Sequence, residues 1–350
     1  MRFVPPNPRD PRLRVAAVII SLQVLGQTVL GFKVSIAQIL ISIGVCAAVD
    51  IGFTLWRERT LAWPASGLLT GNGTAFILRT AHTQHADWWS LNGIQFFVAA
   101  SLIGILSKYV VKVGDRHVFN PSNLGLVAIL LVVGSPNVFP QYLWWGPLQA
   151  PVIAALAVIV VGAVFVLRTV RMVPMAAAFL AAFLPLVAVR AATGGCFAAI
   201  WHTGPVCGAT YWLDICTSPE LLIFVFFMMS DPRTTPSNTR GRMAYAVLTA
   251  VLAAGLLSLQ PTEYGVKVAI LGALTIACTV VPVIDWLGSR PVRAASAWAA
   301  ARRQALDPVV VGLVLVVVAV PLGLNGLAQD HQLLNLERGA LSRPGGGSPQ

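Results

Sequence analysis

Apolar segments long enough to cross a bilayer recur along the whole chain, and that recurrence excludes most folds before any single residue is considered. The hydrocarbon core of a bilayer is about 30 Å thick and takes roughly 20 helical residues to span. Eleven segments meet or approach that length: 13–32, 34–55, 61–78, 91–111, 119–134, 147–167, 172–189, 220–230, 243–259, 265–286 and 309–327. Composition agrees, with 57% of the 350 residues hydrophobic and 11% charged, against about 25% charged in soluble domains. A soluble globule and a disordered chain are both excluded. The expected fold is an all-α polytopic protein of the cell membrane, with the lipid bilayer as its main partner.

The formal charge of +11 gains meaning once each basic residue is placed. With a cytoplasmic N-terminus, only Lys33, Arg79, Arg190, Lys267, Arg338 and Arg343 of the 24 Lys and Arg fall outside. Cytoplasmic loops carry such an excess, and a missed or invented span would invert every later loop and destroy the bias. The inner charges are dispersed over short segments and not gathered on one face, which argues against nucleic acid. Arg2, Arg9, Arg12 and Arg14 precede the first span. That span is too long for a signal-peptide core and lacks a clean cleavage site, so it reads as a permanent helix. Trp88, Trp89, Tyr142, Trp144, Trp145, Trp201, Tyr211 and Trp212 fall in outer loops, the headgroup level that such rings favour.

The pattern divides the chain into a cytoplasmic segment 1–12, a first five-helix repeat 13–134, a second five-helix repeat 147–286, a basic linker 287–308, an eleventh helix 309–327 and a tail 328–350. The Gly- and Pro-rich tail cannot bury a core and is expected to be disordered. Five is odd, so the two repeats would be inverted relative to each other. Their third segments, 61–78 and 220–230, are short, and interrupted helices at matching places point to a midplane site. Three polar stretches stand at membrane level: Ser66–Thr74 with its glycines and hydroxyls, Phe119–Gly125, and Met229–Pro236. Asn120 or Ser122 is a helix cap with Pro121 at an early helical position. These stretches either cap and break helices or let a planar or anionic ligand reach the backbone. Asp50, Arg190, Glu220, Lys267 and Asp285 all lie near span ends. Ion pumps usually mark their path with intramembrane charge, so a stand-alone proton pump is disfavoured.

Five cysteines without a C-x-x-C pair give no zinc or iron–sulfur signature. Cys46 and Cys278 lie in spans and read as packing residues. His82 and His85 lack a third ligand and read as surface polarity. His117 follows a basic run and reads as a solvated inner residue.

Three motifs carry a family resemblance. Phe119-Asn-Pro-Ser122 resembles the F-N-P-[AS] segment of the NqrB/RnfD family, membrane subunits of sodium-pumping quinone reductase and Rnf complexes. Ser230-Asp-Pro-Arg-Thr-Thr-Pro236, continuing to Gly241-Arg242, is similar to that family's D-P signature. Ser66-Gly-Leu-Leu-Thr-Gly71 resembles its S-G-x-x-T-G segment. Their order and spacing match over residues ~60–290, the context such motifs need. A closer likeness is the RnfD-like branch of enediyne biosynthesis membrane proteins (UnbU type), with F-N-P-S-N-[FL]-G-L-V and an outer Trp-Trp pair, here Trp144-Trp145.

The resemblance implies a ten-helix inverted-repeat fold binding FMN or riboflavin, with Ser66, Gly67, Thr70, Gly71, Asn120, Pro121, Asn123 and Asp231 around the cofactor. Some members esterify FMN to a Thr in an outer D-x-x-S-G-A-T motif. Gly204-Pro-Val-Cys-Gly-Ala-Thr210 matches in place and order. Cys207 replaces the Ser and Gly204 the Asp, so covalent attachment at Thr210 is an open expectation. Cys196, Cys207 and Cys216 share the outer region, where one disulfide is permitted, and a Cys207–Cys216 bond would tie down the G-A-T turn.

Three functions remain. One is an electron-transfer subunit working with other electron-transport or biosynthetic membrane subunits, the flavin supplying the chemistry. Another is a small-solute transporter or channel. The third is a non-redox structural partner in a membrane assembly.

Overall fold

The computed structural model describes residues 2–7, 10–143 and 149–288. The expected helix 309–327, most of the linker 287–308, the tail 328–350, and Trp144 and Trp145 lie outside the described residues. The chain is an all-α polytopic membrane protein. Its first half holds α1 (Pro11–Thr28), α2 (Ile36–Glu58), α3 (Ala65–Ile77), α4 (Ile94–Val110) and α5 (Pro121–Val133). Its second half holds α6 (Ala150–Val170), α7 (Val173–Ala192), α8 (Gly208–Cys216), α9 (Pro219–Ile223) with a π turn over Phe224–Met228, α10 (Thr239–Leu257) and α11 (Glu263–Gly288). Among the described residues six helical stretches are long and apolar enough to cross a membrane.

Helix starts are written into the sequence. The Ser35 hydroxyl accepts from the Gln38 N–H while the Gln38 side chain accepts from the Ser35 N–H, a reciprocal cap. Asn120 caps α5 with Pro121 in its first turn, where the missing N–H costs nothing. Packing then repeats in order through the two halves. α2 packs on α3 and α4, as α7 packs on α8 and α10; α4 pairs with α5, as α10 pairs with α11. Across the halves α1 meets α6 and α5 meets α11.

The connections sort into two faces. On the N-terminal face the segment 2–4 pairs with 60–62, and Arg116 reaches Pro232, Thr235 and Asp285. On the opposite face 78–80 pairs with 138–140, and Ala198 bridges to Thr262. α3 and α5 have only 13 residues each, about 20 Å at 1.5 Å per residue, short of a bilayer core. The extended residues that continue both helices, 78–80 and 138–140, pair with each other, so their backbone groups are satisfied internally.

Two expectations about broken helices change. Residues 66–74 are not irregular: α3 is a continuous helix. Its glycines serve close approach, since a Cβ on Gly67 would stand 2.6 Å from the Cys46 carbonyl oxygen and one on Gly71 2.4 Å from that of Ser42. The second-half segment is not the short 220–230 but the longer Gly208–Met228. It breaks at Pro219, which lacks an N–H, and Ser218 recaps the chain by accepting from the Leu221 N–H. Tyr211 and Trp212 thereby move from the expected loop into α8.

Candidate functional site

The three motif segments converge because two of them complete each other. Pro232 would be the residue to donate an N–H to the Met228 carbonyl one helical turn back, and it has none. The π turn shifts the ladder so that Met229 donates to Phe224 O at 2.8 Å. Met228 O is then taken by Asn120 Nδ2 at 3.1 Å. The Asn of F-N-P thus repairs the break that the proline of D-P makes. The same Asn120 side chain caps α5 through Oδ1, which accepts from the Asn123 N–H at 3.2 Å and the Ser122 hydroxyl at 3.0 Å. Single-turn π segments are frequent at functional sites.

Around this junction lies a cavity of about 330 Å³, within the usual range of small-molecule sites. Its inner wall is apolar, with Ile19, Leu69, Phe76, Val166, Ile223 and Phe227. Its polar end lies on the N-terminal face, where Ser66, Asn120, Ser122, His117, Asp231 and Arg233 meet. Arg12 also lines the cavity and is held by Asp10, with Nη2 2.6 Å from Oδ2. Asp231 Oδ1 accepts from the Arg233 N–H at 3.0 Å. Burial pushes the Asp231 carboxyl up, but the facing His117 imidazole and the Arg233 N–H outweigh it and hold the group below the ordinary carboxylate value.

Of the residues expected around a cofactor, Ser66, Thr70, Asn120, Pro121 and Asp231 line this cavity. Gly67, Gly71 and Asn123 do not. The two glycines face α2, and the Gly67 N–H donates to Asp50 Oδ2 at 3.0 Å. Asn123 Nδ2 turns the other way, to Leu271 O at 3.0 Å and Thr275 Oγ1 at 2.9 Å. Thr210 stands apart, exposed in the first turn of α8 on the opposite face. The one disulfide permitted among the three outer cysteines joins Cys207 to Cys196 and not to Cys216, which is a buried free thiol. The two partners face each other in the antiparallel pairing of 196–198 with 205–207, while Cys216 lies at the far end of α8.

No family model and no curated protein matches this chain. Its site is therefore read from its own geometry.

Two features escaped the sequence. His117 is not a solvated residue of the inner loop: it is 6% exposed and lines the cavity. The alternation of a short strand could have flagged it, because 116–117 pairs with 112–113 and sends Arg116 and His117 to opposite sides. Lys267 is the second. It is buried between Glu220 Oε1 at 2.9 Å and Glu263 Oε1 at 2.8 Å on the opposite face. Trp201 Nε1 donates to Glu263 Oε2 at 2.9 Å. Among the described residues no group of three metal-ligating side chains occurs, and His85 instead lies 3.4 Å from the Phe32 carbonyl oxygen.

Proposed function

We propose that this protein is an integral membrane electron-transfer subunit that holds a flavin in the cavity on its N-terminal face, as its resemblance to the NqrB/RnfD family implies. One observation carries the reading. Residues from three motifs widely separated in sequence, Ser66 and Thr70, Asn120 and Pro121, and Asp231, line one cavity. An apolar slot with a few convergent polar groups at one end suits a planar ring with a polar edge. The flavin supplies one- and two-electron transfer; the protein supplies position, burial and hydrogen bonds. Ile19, Phe76 and Phe227 exclude water from the ring, while Ser66, Thr70 and Asn120 fix its edge.

In this reading the N-terminus is cytoplasmic, so the cavity opens to the cytoplasm and Thr210 faces the outside. Thr210 then serves as an outer attachment point, held beside the Cys196–Cys207 bond in the compartment where disulfides persist. Electrons would pass between the faces to other electron-transport or biosynthetic membrane subunits, an enediyne-type assembly being the context that the RnfD-like resemblance suggests. The chain is a subunit of such a system and not a self-contained enzyme.

A small-solute transporter is the second reading, favoured by one feature. A smaller cavity of about 40 Å³ near Lys267 and Glu220 shares Ile77, Ile223 and Met228 with the larger one, so the two are separated by a thin apolar partition. The visible spectrum of the purified full chain separates the readings. Flavin absorbance supports the first, and loss of any denaturation-resistant fraction in Thr210→Ala assigns the outer attachment. A colourless protein that moves solute into liposomes would replace it with the second.

A further inference from the structure

The face opposite the N-terminus carries another cavity, of about 300 Å³, in which the flavin reading has no part. It lies where α1 ends and α6 begins. Residues 29–33 after α1, Gln141 and Tyr142, and Gln149, Pro151 and Val152 at the start of α6 line it. Among the described residues no aspartate or glutamate does.

Gln141 is the residue that calls for an occupant. Its backbone is engaged: the N–H donates to Ile77 O at 2.6 Å, and the carbonyl oxygen accepts from Lys267 Nζ at 3.3 Å. Its side chain is not. Gln141 is 2% exposed, yet Nε2 has no hydrogen-bond partner. A buried amide left in this state costs free energy unless a ligand or water meets it.

The other groups around the cavity favour an anion. α6 has no side-chain cap at Gln149, so the first-turn N–H groups of Ala150 and Val152 lack an intrahelical acceptor, and a helix N-terminus carries partial positive charge. The carbonyls at the end of α1 are already taken, Leu25 O by the Val29 and Leu30 N–H groups and Gly26 O by that of Phe32. Behind Tyr142, the Arg79 guanidinium lies 3.9 Å and the Lys267 ammonium 5.1 Å from the ring centroid. Those two cations balance Glu220 and Glu263, which flank Lys267. The charge of Lys33 is left over: it lines the cavity, and among the described residues no carboxylate lies within ion-pair distance of it.

We infer that this cavity seats the headgroup phosphate of an anionic phospholipid from the leaflet on this face, held by Lys33, the Gln141 amide and the first turn of α6. The cavity lies at the ends of two membrane helices, the level of lipid headgroups. Deeper in the membrane α1 and α6 pack on each other and expose Ile20, Val24, Ile153 and Val160, apolar surface along which acyl chains lie. A zwitterionic headgroup brings an ammonium that finds no carboxylate here and meets Lys33 instead, so the lipid is anionic. Free phosphate shares the chemistry of the seat but not the apolar surface, and the test distinguishes it.

Full-length protein, purified in detergent and depleted of lipid, is mixed with equal amounts of phosphatidylglycerol and phosphatidylethanolamine carrying the same acyl chains. Native mass spectrometry identifies the first lipid retained by each folded chain. Phosphatidylglycerol should be preferred by about tenfold, the scale of one charge-assisted contact. Lys33→Glu should bring that ratio close to one, whereas Lys112→Glu, the same charge reversal on the opposite face, should leave it unchanged. Gln141→Leu, which keeps the charge, should lower the fraction of folded chains that retain phosphatidylglycerol. Equal retention of the two lipids by the wild-type protein, or an unchanged ratio in Lys33→Glu, overturns the seat. So does an equal fall in Lys112→Glu, which would show a response to overall charge. Displacement of phosphatidylglycerol by inorganic phosphate gives the seat to a free anion and overturns the lipid assignment.

Discussion

Asn120 is the residue through which the helix break, the cap and the cavity depend on one another, and its replacement gives a graded series. Asn120→Ala removes the cap of α5, a loss of about 1 kcal/mol. It also leaves the Met228 carbonyl, buried and deprived of a helical partner by Pro232, without its donor at 3.1 Å, a further cost of roughly 1–3 kcal/mol. The total is roughly 2–4 kcal/mol. Asn120→Ser keeps a capping oxygen and should lose only the second part. Asn120→Asp keeps the shape and the cap, but turns the donor facing Met228 O into a second acceptor. It should therefore be no more stable than the alanine variant. Reversible unfolding in mixed micelles, followed by helical circular dichroism, ranks the three. An aspartate variant as stable as wild type, or an alanine variant within about 0.5 kcal/mol of it, would refute the reasoning.

Lys267→Met should destabilise by about 3–5 kcal/mol, because it strands two carboxylates that now share one ammonium; adding Glu220→Gln and Glu263→Gln should restore most of the loss in the same unfolding assay. Alkylation of the folded protein should gain two reactive thiols on reduction, Cys196 and Cys207, while buried Cys46, Cys216 and Cys278 stay unlabelled until denaturation, as counted by mass spectrometry. The Asp231 carboxyl is held below its ordinary value, about 4 in the unfolded chain. Its contribution is therefore complete above about pH 4 and lost as pH falls through the lower folded value. A thermal midpoint that falls with acid in wild type more steeply than in Asp231→Asn would show this.

What was legible in the sequence follows from its physics. Span positions and the cap at Asn120 are local: they depend on apolar run length and on a residue three positions from its partner. Ser66, Thr70, Asn120, Pro121 and Asp231, which line the cavity, fall in the three stretches marked out by polar, small and rigid residues at membrane depth, and the family resemblance singles them out within those stretches. Gly67 and Gly71 shared that signature but answer to α2, whose backbone passes within van der Waals range. No single-sequence pattern says which neighbour a small residue faces. Asn123 has the same ambiguity, since its partners Leu271 and Thr275 are about 150 residues away in the chain. The Cys196–Cys207 pairing required the strand register that sets the two residues opposite each other. The Lys267 cluster was hidden because each charge taken alone sits near a span end.

Non-covalent flavin per chain, measured in wild type and in Gly73→Leu, tests the flavin cavity most directly. Gly73 lines the cavity, and a Cβ there would stand 3.3 Å from the Ser122 hydroxyl oxygen, so a leucine occupies space the ring needs. The wild-type chain should release flavin on denaturation, and Gly73→Leu should carry almost none while keeping its thermal midpoint. A colourless wild-type protein, or a folded Gly73→Leu variant with its full complement of released flavin, would contradict it.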